Sequence, residues 1–237
     1  MATLILARHG RTTANTGGVL AGRTKGVHLD DTGVQQARAA AGRLEGLPLA
    51  AVVSSPLERC RETARLMAPG VRAVTDRRLV ECDYGEWTGQ EIKRLAKEKL
   101  WHTVQVQPSG ARFPGGESLQ EMSARVVSAV RSRDAALEEE VGEHAVWLAV
   151  SHGDPIKAIL ADALGMHLDA FQRIAVDPGS LSVVRYTPHR AFVLTMNSGA
   201  GSLAHLASKP RKRRTRSSDA VVGGGAGPAA ASSSPTI

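Results

Sequence analysis

The chain is poor in aromatic residues, with 3% of its 237 positions Phe, Trp or Tyr. So few rings argue against the stacking platforms that hold single-stranded bases. Cysteine is as scarce, with only Cys60 and Cys82. That excludes a disulfide framework of the secreted type and leaves two reduced thiols as the expectation. No apolar run reaches the roughly 18 residues of a membrane span. The first apolar run, Leu4–Ala7, is short and follows no basic region, which does not fit a signal peptide. These absences point to a cytoplasmic protein with no membrane span. The formal charge of +7 is also less general than it looks. Residues 207–237 carry Lys209, Arg211, Lys212, Arg213, Arg214 and Arg216 against Asp219 alone, so most of the excess belongs to that tail.

What remains is an ordinary globular composition, 42% hydrophobic and 22% charged. The length suits one sizeable core plus an extension. Short apolar runs at 3–7, 50–53, 71–75, 145–150, 181–186 and 191–196 read as strands. Residues 8–30 read as loop. A helix is expected from Asp31-Thr32, with an inward stripe of Val34, Ala37, Ala41 and Leu44. A second opens at Ser54-Ser55-Pro56, with Ser as cap and Pro at an early position, and runs to Met67. Further helices are expected at about 89–100, 117–140 and 155–165. Between them, residues 101–116 hold Pro108, Gly110, Pro114, Gly115 and Gly116 and read as a long, lid-like irregular excursion. The alternation predicts an α/β fold with a mostly parallel central sheet and helices on both faces. Residues 1–206 form the expected catalytic domain. Residues 207–237, basic and then rich in Gly, Ala and Ser, read as a disordered tail.

Two strands end alike. Strand 3–7 runs into Arg8-His9-Gly10, and strand 145–150 into Ser151-His152-Gly153. As neighbours in a parallel sheet, they would bring both imidazoles to its carboxyl edge, where ligands gather. Strand 50–53 leads to Arg59 in the first turn of a helix, a place that favours anions. A guanidinium there offers a fork for phosphate oxygens. Glu81 opens a loop in which Asp83, Glu86 and Glu91 compete with it as general acid, and spacing does not choose between them.

Taken together, the segments resemble the histidine phosphatase superfamily, in its phosphoglycerate mutase-like branch. Arg8-His9-Gly10-Arg11-Thr12-Thr13-Ala14-Asn15 is similar to the family's opening R-H-G-x-[TS]-x-x-N. Ser54-Ser55-Pro56-Leu57-Glu58-Arg59 with Thr63-Ala64 resembles S-S-P-L-x-R-x-x-x-T-A, and Glu81 through Gly89 resembles E-x-x-x-G-x-W-x-G. Val150-Ser151-His152-Gly153 resembles V-[ST]-H-G. Any one of these is weak, but four in order over roughly residues 1–200 are specific. The resemblance implies that His9 is the nucleophile and becomes phosphohistidine. It implies that Arg8, Arg59 and His152 bind the transferring phosphoryl group. Glu81 would donate a proton to the leaving oxygen and then serve as base for water. Asn15, the segment Ala21-Gly22-Arg23-Thr24 and Gly153 would lie on the substrate side, with Arg23 a specificity element. No metal and no cofactor are implied, since phosphoryl transfer needs positioning and positive charge, which two Arg and two His supply.

Family members differ in whether water or a sugar acid takes the phosphoryl group. The mutases carry an Arg-containing run after the Glu motif, where this chain has Cys82-Asp83-Tyr84. Asp83 and Glu86 would repel a second anion, and Phe113-Pro114-Gly115-Gly116-Glu117-Ser118 resembles the phosphatase-like members. Hydrolysis of a small phosphomonoester is therefore expected. A phosphoglycerate-type mutase is the alternative, with Lys93, Arg94, Lys97 or Arg112 holding the second anion if the excursion folds inward. A reading of another class makes the chain a non-catalytic polyanion binder acting through Pro210–Arg214. An exposed edge strand would permit a homodimer.

Overall fold

The computed structural model describes residues 2–142, 144–199, 222, 223 and 225. Among these the strands are β1 (Thr3–Arg8), β2 (Leu49–Ser54), β3 (Ala73–Thr75), β4 (Val146–Ser151), β5 (Leu181–Tyr186) and β6 (Ala191–Ser198). They form one sheet in the order β3-β2-β4-β1-β5-β6. The first four in that order run parallel, while β5 is antiparallel to β1 and β6 to β5. The helices are α1 (Thr13–Gly17), α2 (Asp31–Leu44), α3 (Glu58–Met67), α4 (Ile92–Leu95), α5 (Lys99–Val106), α6 (Leu119–Val141) and α7 (Gly153–Ala163). The expected α/β class, with a mostly parallel sheet covered on both faces, is the fold observed.

The central strands β1 and β4 are apolar over Leu4–Ala7 and Val146–Val150 because each face of the sheet is covered. Alternate residues point to opposite faces. Leu4, Leu6, Trp147 and Ala149 meet Met122 and Val126 of α6 and Ile156 and Ile159 of α7. Ile5, Ala7, Leu148 and Val150 meet Ala37 and Ala40 of α2 and Cys60 and Ala64 of α3. Inside the first layer, Trp147 donates its indole N–H to the buried Asp134 carboxylate at 3.0 Å, so the largest core side chain has its one donor satisfied.

Register decides where the chemistry falls. Arg8 pairs with Ser151 across β1 and β4, and the His9 N–H donates to the Ser151 carbonyl at 3.0 Å. Ser54 pairs with Val150 across β2 and β4, and the Ser55 N–H donates to the Val150 carbonyl at 2.9 Å. Three strand ends therefore finish at one level. Gly10 lets the next turn close over them, because a Cβ there would stand 2.4 Å from the Gly33 carbonyl oxygen.

Local details depart from the sequence reading. Within the expected loop 8–30, Thr12 and Asn15 form a reciprocal capping box that starts α1. Helix α3 begins at Glu58 behind Leu57, so Pro56 lies outside it and no serine side chain caps it. The expected helix at 89–100 is two short pieces, α4 and α5, and α5 extends to Val106. The excursion is thus helical at its start, and it is packed. Phe113 is 1% exposed and meets the Tyr84 ring edge-on at 4.9 Å and the Trp87 ring at 5.3 Å. Gly85, at φ +51°, lets the two loops touch, since a Cβ there would be 2.0 Å from the Pro114 carbonyl oxygen. Its glycines and prolines read as freedom, whereas the buried Phe113 fixes it.

Candidate active site

His9 is buried at the tip of β1, 4% exposed. Its Nδ1 lies 2.8 Å from the Gly10 carbonyl oxygen, which can only accept. Nδ1 therefore carries the proton and Nε2 keeps its lone pair. Burial, with Arg59 and Arg8 nearby, holds the imidazole well below its usual pKa, so it is neutral at physiological pH. A neutral imidazole with a fixed tautomer is a competent nucleophile.

Arg59 rises from the first turn of α3 and is 2% exposed. Its Nη2 donates to the Gly22 carbonyl at 2.7 Å, while Nη1 is buried with no partner among the described residues. An unmet charged donor of this kind is costly without an anion to meet it. Arg8 is 1% exposed and donates from Nη1 to the Val176 carbonyl at 2.7 Å. Glu81 is 3% exposed, and its Oε1 accepts the Cys82 N–H at 2.9 Å. Burial, assisted by the Asp154 charge, pushes its carboxyl up to about 8. It is therefore protonated at neutral pH, the state of a general acid.

His152 packs edge-on against His9, with ring centroids 5.2 Å apart. Its Nε2 lies 2.8 Å from Ser55 Oγ and 3.4 Å from Cys60 Sγ. It stands behind His9 rather than on the cavity wall. Asn15, Ala21 and Gly22 line the cavity with His9, Arg59 and Glu81. Asn15 Oδ1 is engaged by the N–H and hydroxyl of Thr12, which leaves its amide nitrogen to meet a ligand.

Three expected substrate residues lie elsewhere. Arg23 is turned away from the cavity. It donates to the Glu81 carbonyl at 2.9 Å, to Asp83 at 3.1 Å and to Glu117 at 2.8 Å. Two carboxylates hold it, so its guanidinium braces the backbone at Glu81 and does not line the cavity. Thr24 is exposed in a turn closed by its N–H on the Ala21 carbonyl. Gly153 is buried as the first residue of α7 and does not line the cavity.

Sequence reasoning missed Tyr84 and Asp154. Tyr84 lines the cavity and donates its hydroxyl to the wholly buried Asp154 at 2.7 Å. Position alone could have flagged Asp154, which follows His152 by two residues in the same segment. It also missed the apolar wall of Val19, Leu20 and Ile92. Of the tail 207–237, only Val222, Gly223 and Gly225 are among the described residues, and all three line this cavity. The basic cluster Lys209–Arg216 lies outside the described residues.

The family model of the histidine phosphatase superfamily (branch 1) matches residues 4–199. The chain belongs to that superfamily. A probable phosphoglycerate mutase, GpmB, of Yersinia pestis is 34% identical over 212 residues, covering 87% of this chain and 95% of that protein. A putative alpha-ribazole-5'-P phosphatase from Escherichia coli superposes with a TM-score of 0.71 at 28% identity, covering 83% of this chain and 96% of that one. A mycobacterial glucosyl-3-phosphoglycerate phosphatase, at 24% identity and a TM-score of 0.74 over 83% and 99% of the two chains, shares the fold. Among the described residues of this superfamily member, no group of three or more His, Cys, Asp or Glu side chains is placed to hold a metal ion. No helix among them is long and apolar enough to cross a membrane.

Proposed function

We propose that this histidine phosphatase hydrolyses small phosphomonoesters through a phosphohistidine on His9. One observation carries the reading. A neutral imidazole with its Nδ1 proton fixed stands in one cavity with a buried Arg59 nitrogen that has no partner among the described residues and with a protonated carboxyl. Nε2 of His9 attacks phosphorus while the ester P–O bond breaks, and Glu81 gives its proton to the departing alkoxide. Arg59 and Arg8 hold the charge on the equatorial oxygens. Glu81, now a carboxylate, takes a proton from water as the water oxygen attacks phosphorus. The P–N bond breaks, phosphate leaves, and His9 and Glu81 return to their starting states. His152 supports His9 from behind.

The cavity wall supports water over a second substrate as acceptor. Away from the phosphate end it is built of Val19, Leu20, Ala21, Tyr84 and Ile92, with no further cation among the described residues. Arg112 is engaged by Glu121 at 2.5 Å, outside the cavity. Lys93, Arg94 and Lys97 do not line it either. The similarity to a probable phosphoglycerate mutase keeps the mutase as the second reading. A phosphate-release screen over sugar phosphates, phosphoglycerates, nucleotides and phosphoamino acids, run with a chelator, separates the two. Release from a neutral-alcohol ester with little from phosphoglycerates supports the proposal. Interconversion of monophosphoglycerates without phosphate release overturns it.

The reading extends to setting and partners. A cytoplasmic setting accords with the free, buried thiols of Cys60 and Cys82. A homodimer across edge strand β6 is supported by its outward stripe of Phe192, Leu194 and Met196, each more than 40% exposed. Contact of Lys209–Arg216 with polyanions rests on charge alone.

A further inference from the structure

The cavity at His9 measures 30 Å³ with Val222, Gly223 and Gly225 in its wall. Ligand pockets commonly run to about 300–1,000 Å³, so little free space is left in front of His9. Val222, Gly223 and Gly225 take up part of that front. Val222 is 1% exposed. The Gly223 carbonyl accepts a hydrogen bond from Arg8 Nη2 at 3.3 Å, and the Gly223 N–H donates to Asp154 Oδ2 at 3.2 Å. The seat is shaped for glycine. Gly223 has φ +74°, and a Cβ there would stand 3.0 Å from Leu20 Cδ1 and 3.5 Å from the Tyr84 hydroxyl.

A peptide carbonyl on Arg8 is a neutral stand-in for a phosphoryl oxygen on the same guanidinium. An ester that binds Arg8 and Arg59 must therefore compete with the segment for both the donor and the space. We infer that Val222, Gly223 and Gly225 form an inhibitory strap that occupies the phosphate cavity and that substrate must displace. The inference rests on the phosphatase reading above. Only the fraction of molecules with the strap out binds ligand, so apparent affinity falls in proportion to that fraction.

Two full-chain variants test this. Gly223→Leu puts a side chain into the gap between Leu20 and Tyr84 at a backbone angle that disfavours it. Val222→Asp puts a charge where the buried side chain sits. Both are compared with the parent chain for calorimetric binding of inorganic phosphate and for hydrolysis of p-nitrophenyl phosphate. The strap requires tighter phosphate binding by roughly tenfold, the scale of one buried valine. It also requires a lower KM, with kcat changed less. A synthetic peptide of residues 220–227, added to either variant, should then compete with phosphate. Unchanged or weaker phosphate binding in both variants would overturn the strap and make the segment an ordinary wall of the site. Phosphate binding does not depend on turnover. Tighter phosphate binding without hydrolysis by any form would therefore sink the phosphatase reading and leave the strap standing.

Discussion

The rear and the front of the cavity are built differently. The rear is His9 at a strand end locked by parallel pairing and Arg59 in the first turn of α3, with Arg8 and His152 packed beside them, each under 5% exposed. The front comes from loop residues Val19–Gly22, from Tyr84 and Ile92, and from Val222, Gly223 and Gly225. The rear carries the charge and the proton inventory, and the front carries apolar surface. The difference teaches that the chemistry is set by the sheet, whereas what reaches it is set by loop segments laid over its edge, Val19–Gly22 among them pinned by backbone bonds to Ala14 and Gln90. Substitutions at the rear should therefore remove turnover, and substitutions at the front should change KM or stability.

The largest effect is expected from His9→Ala, which removes the proposed nucleophile. Hydrolysis of p-nitrophenyl phosphate should fall by roughly 10⁴ or more, in line with losses of a covalent nucleophile. Residual turnover near the parent rate would erase the distinction between rear and front. Arg59→Ala should follow, with kcat lower by about 10²–10³, the scale of one lost charge-stabilising donor group. A change confined to KM would mean that Arg59 only binds.

Glu81→Gln should lower kcat by roughly 10²–10⁴. In the parent chain, kcat should fall as pH rises through about 8, because Glu81 then loses the proton it must donate. The same group shapes stability. Its carboxyl titrates near 8 in the folded state and in the ordinary carboxylate range when unfolded. The folded state thus binds the extra proton between those values, and stability from this group drains away as pH rises to about 8. Glu81→Gln should remove that slope, which melting temperatures at pH 6 and pH 9 will reveal.

Two smaller effects sharpen the comparison at the front. Phe113→Ala should destabilise the fold by about 3–5 kcal/mol in a denaturant titration, because the ring is buried against Tyr84 and Trp87. A loss under 1 kcal/mol would restore the excursion to a loose lid. Arg23→Ala should cost about 1 kcal/mol of stability, with KM changed less than about threefold, since its partners are Asp83, Glu117 and the Glu81 carbonyl. A KM raised tenfold or more would return Arg23 to the substrate.

The rear was legible in the sequence because parallel strands advertise themselves. Apolar runs ending in Arg8-His9-Gly10 and Ser151-His152-Gly153 leave little choice of place for either histidine once the strands pair. Glu81 was legible only through the family resemblance, and burial now separates it from Asp83, whose carboxylate meets Arg23 at 39% exposure. The front was hidden because its signals are not periodic. Arg23 reads as a substrate cation until Asp83 and Glu117 are seen to bracket it. Val222 and Gly223 sit in low-complexity sequence that gives no packing signal, yet Leu20, Tyr84, Arg8 and Asp154 together make a seat for them.

The central claim is that His9 carries the phosphoryl group on the nitrogen that the Gly10 carbonyl leaves free. Rapid quenching of turnover under alkaline conditions, followed by peptide mapping, tests it directly. The account predicts an acid-labile, base-stable phosphoryl group on Nε2 of His9 that is absent from His9→Ala. A phosphoryl group on Nδ1 or on another residue, or turnover with no phosphoenzyme at any quench time, would contradict it.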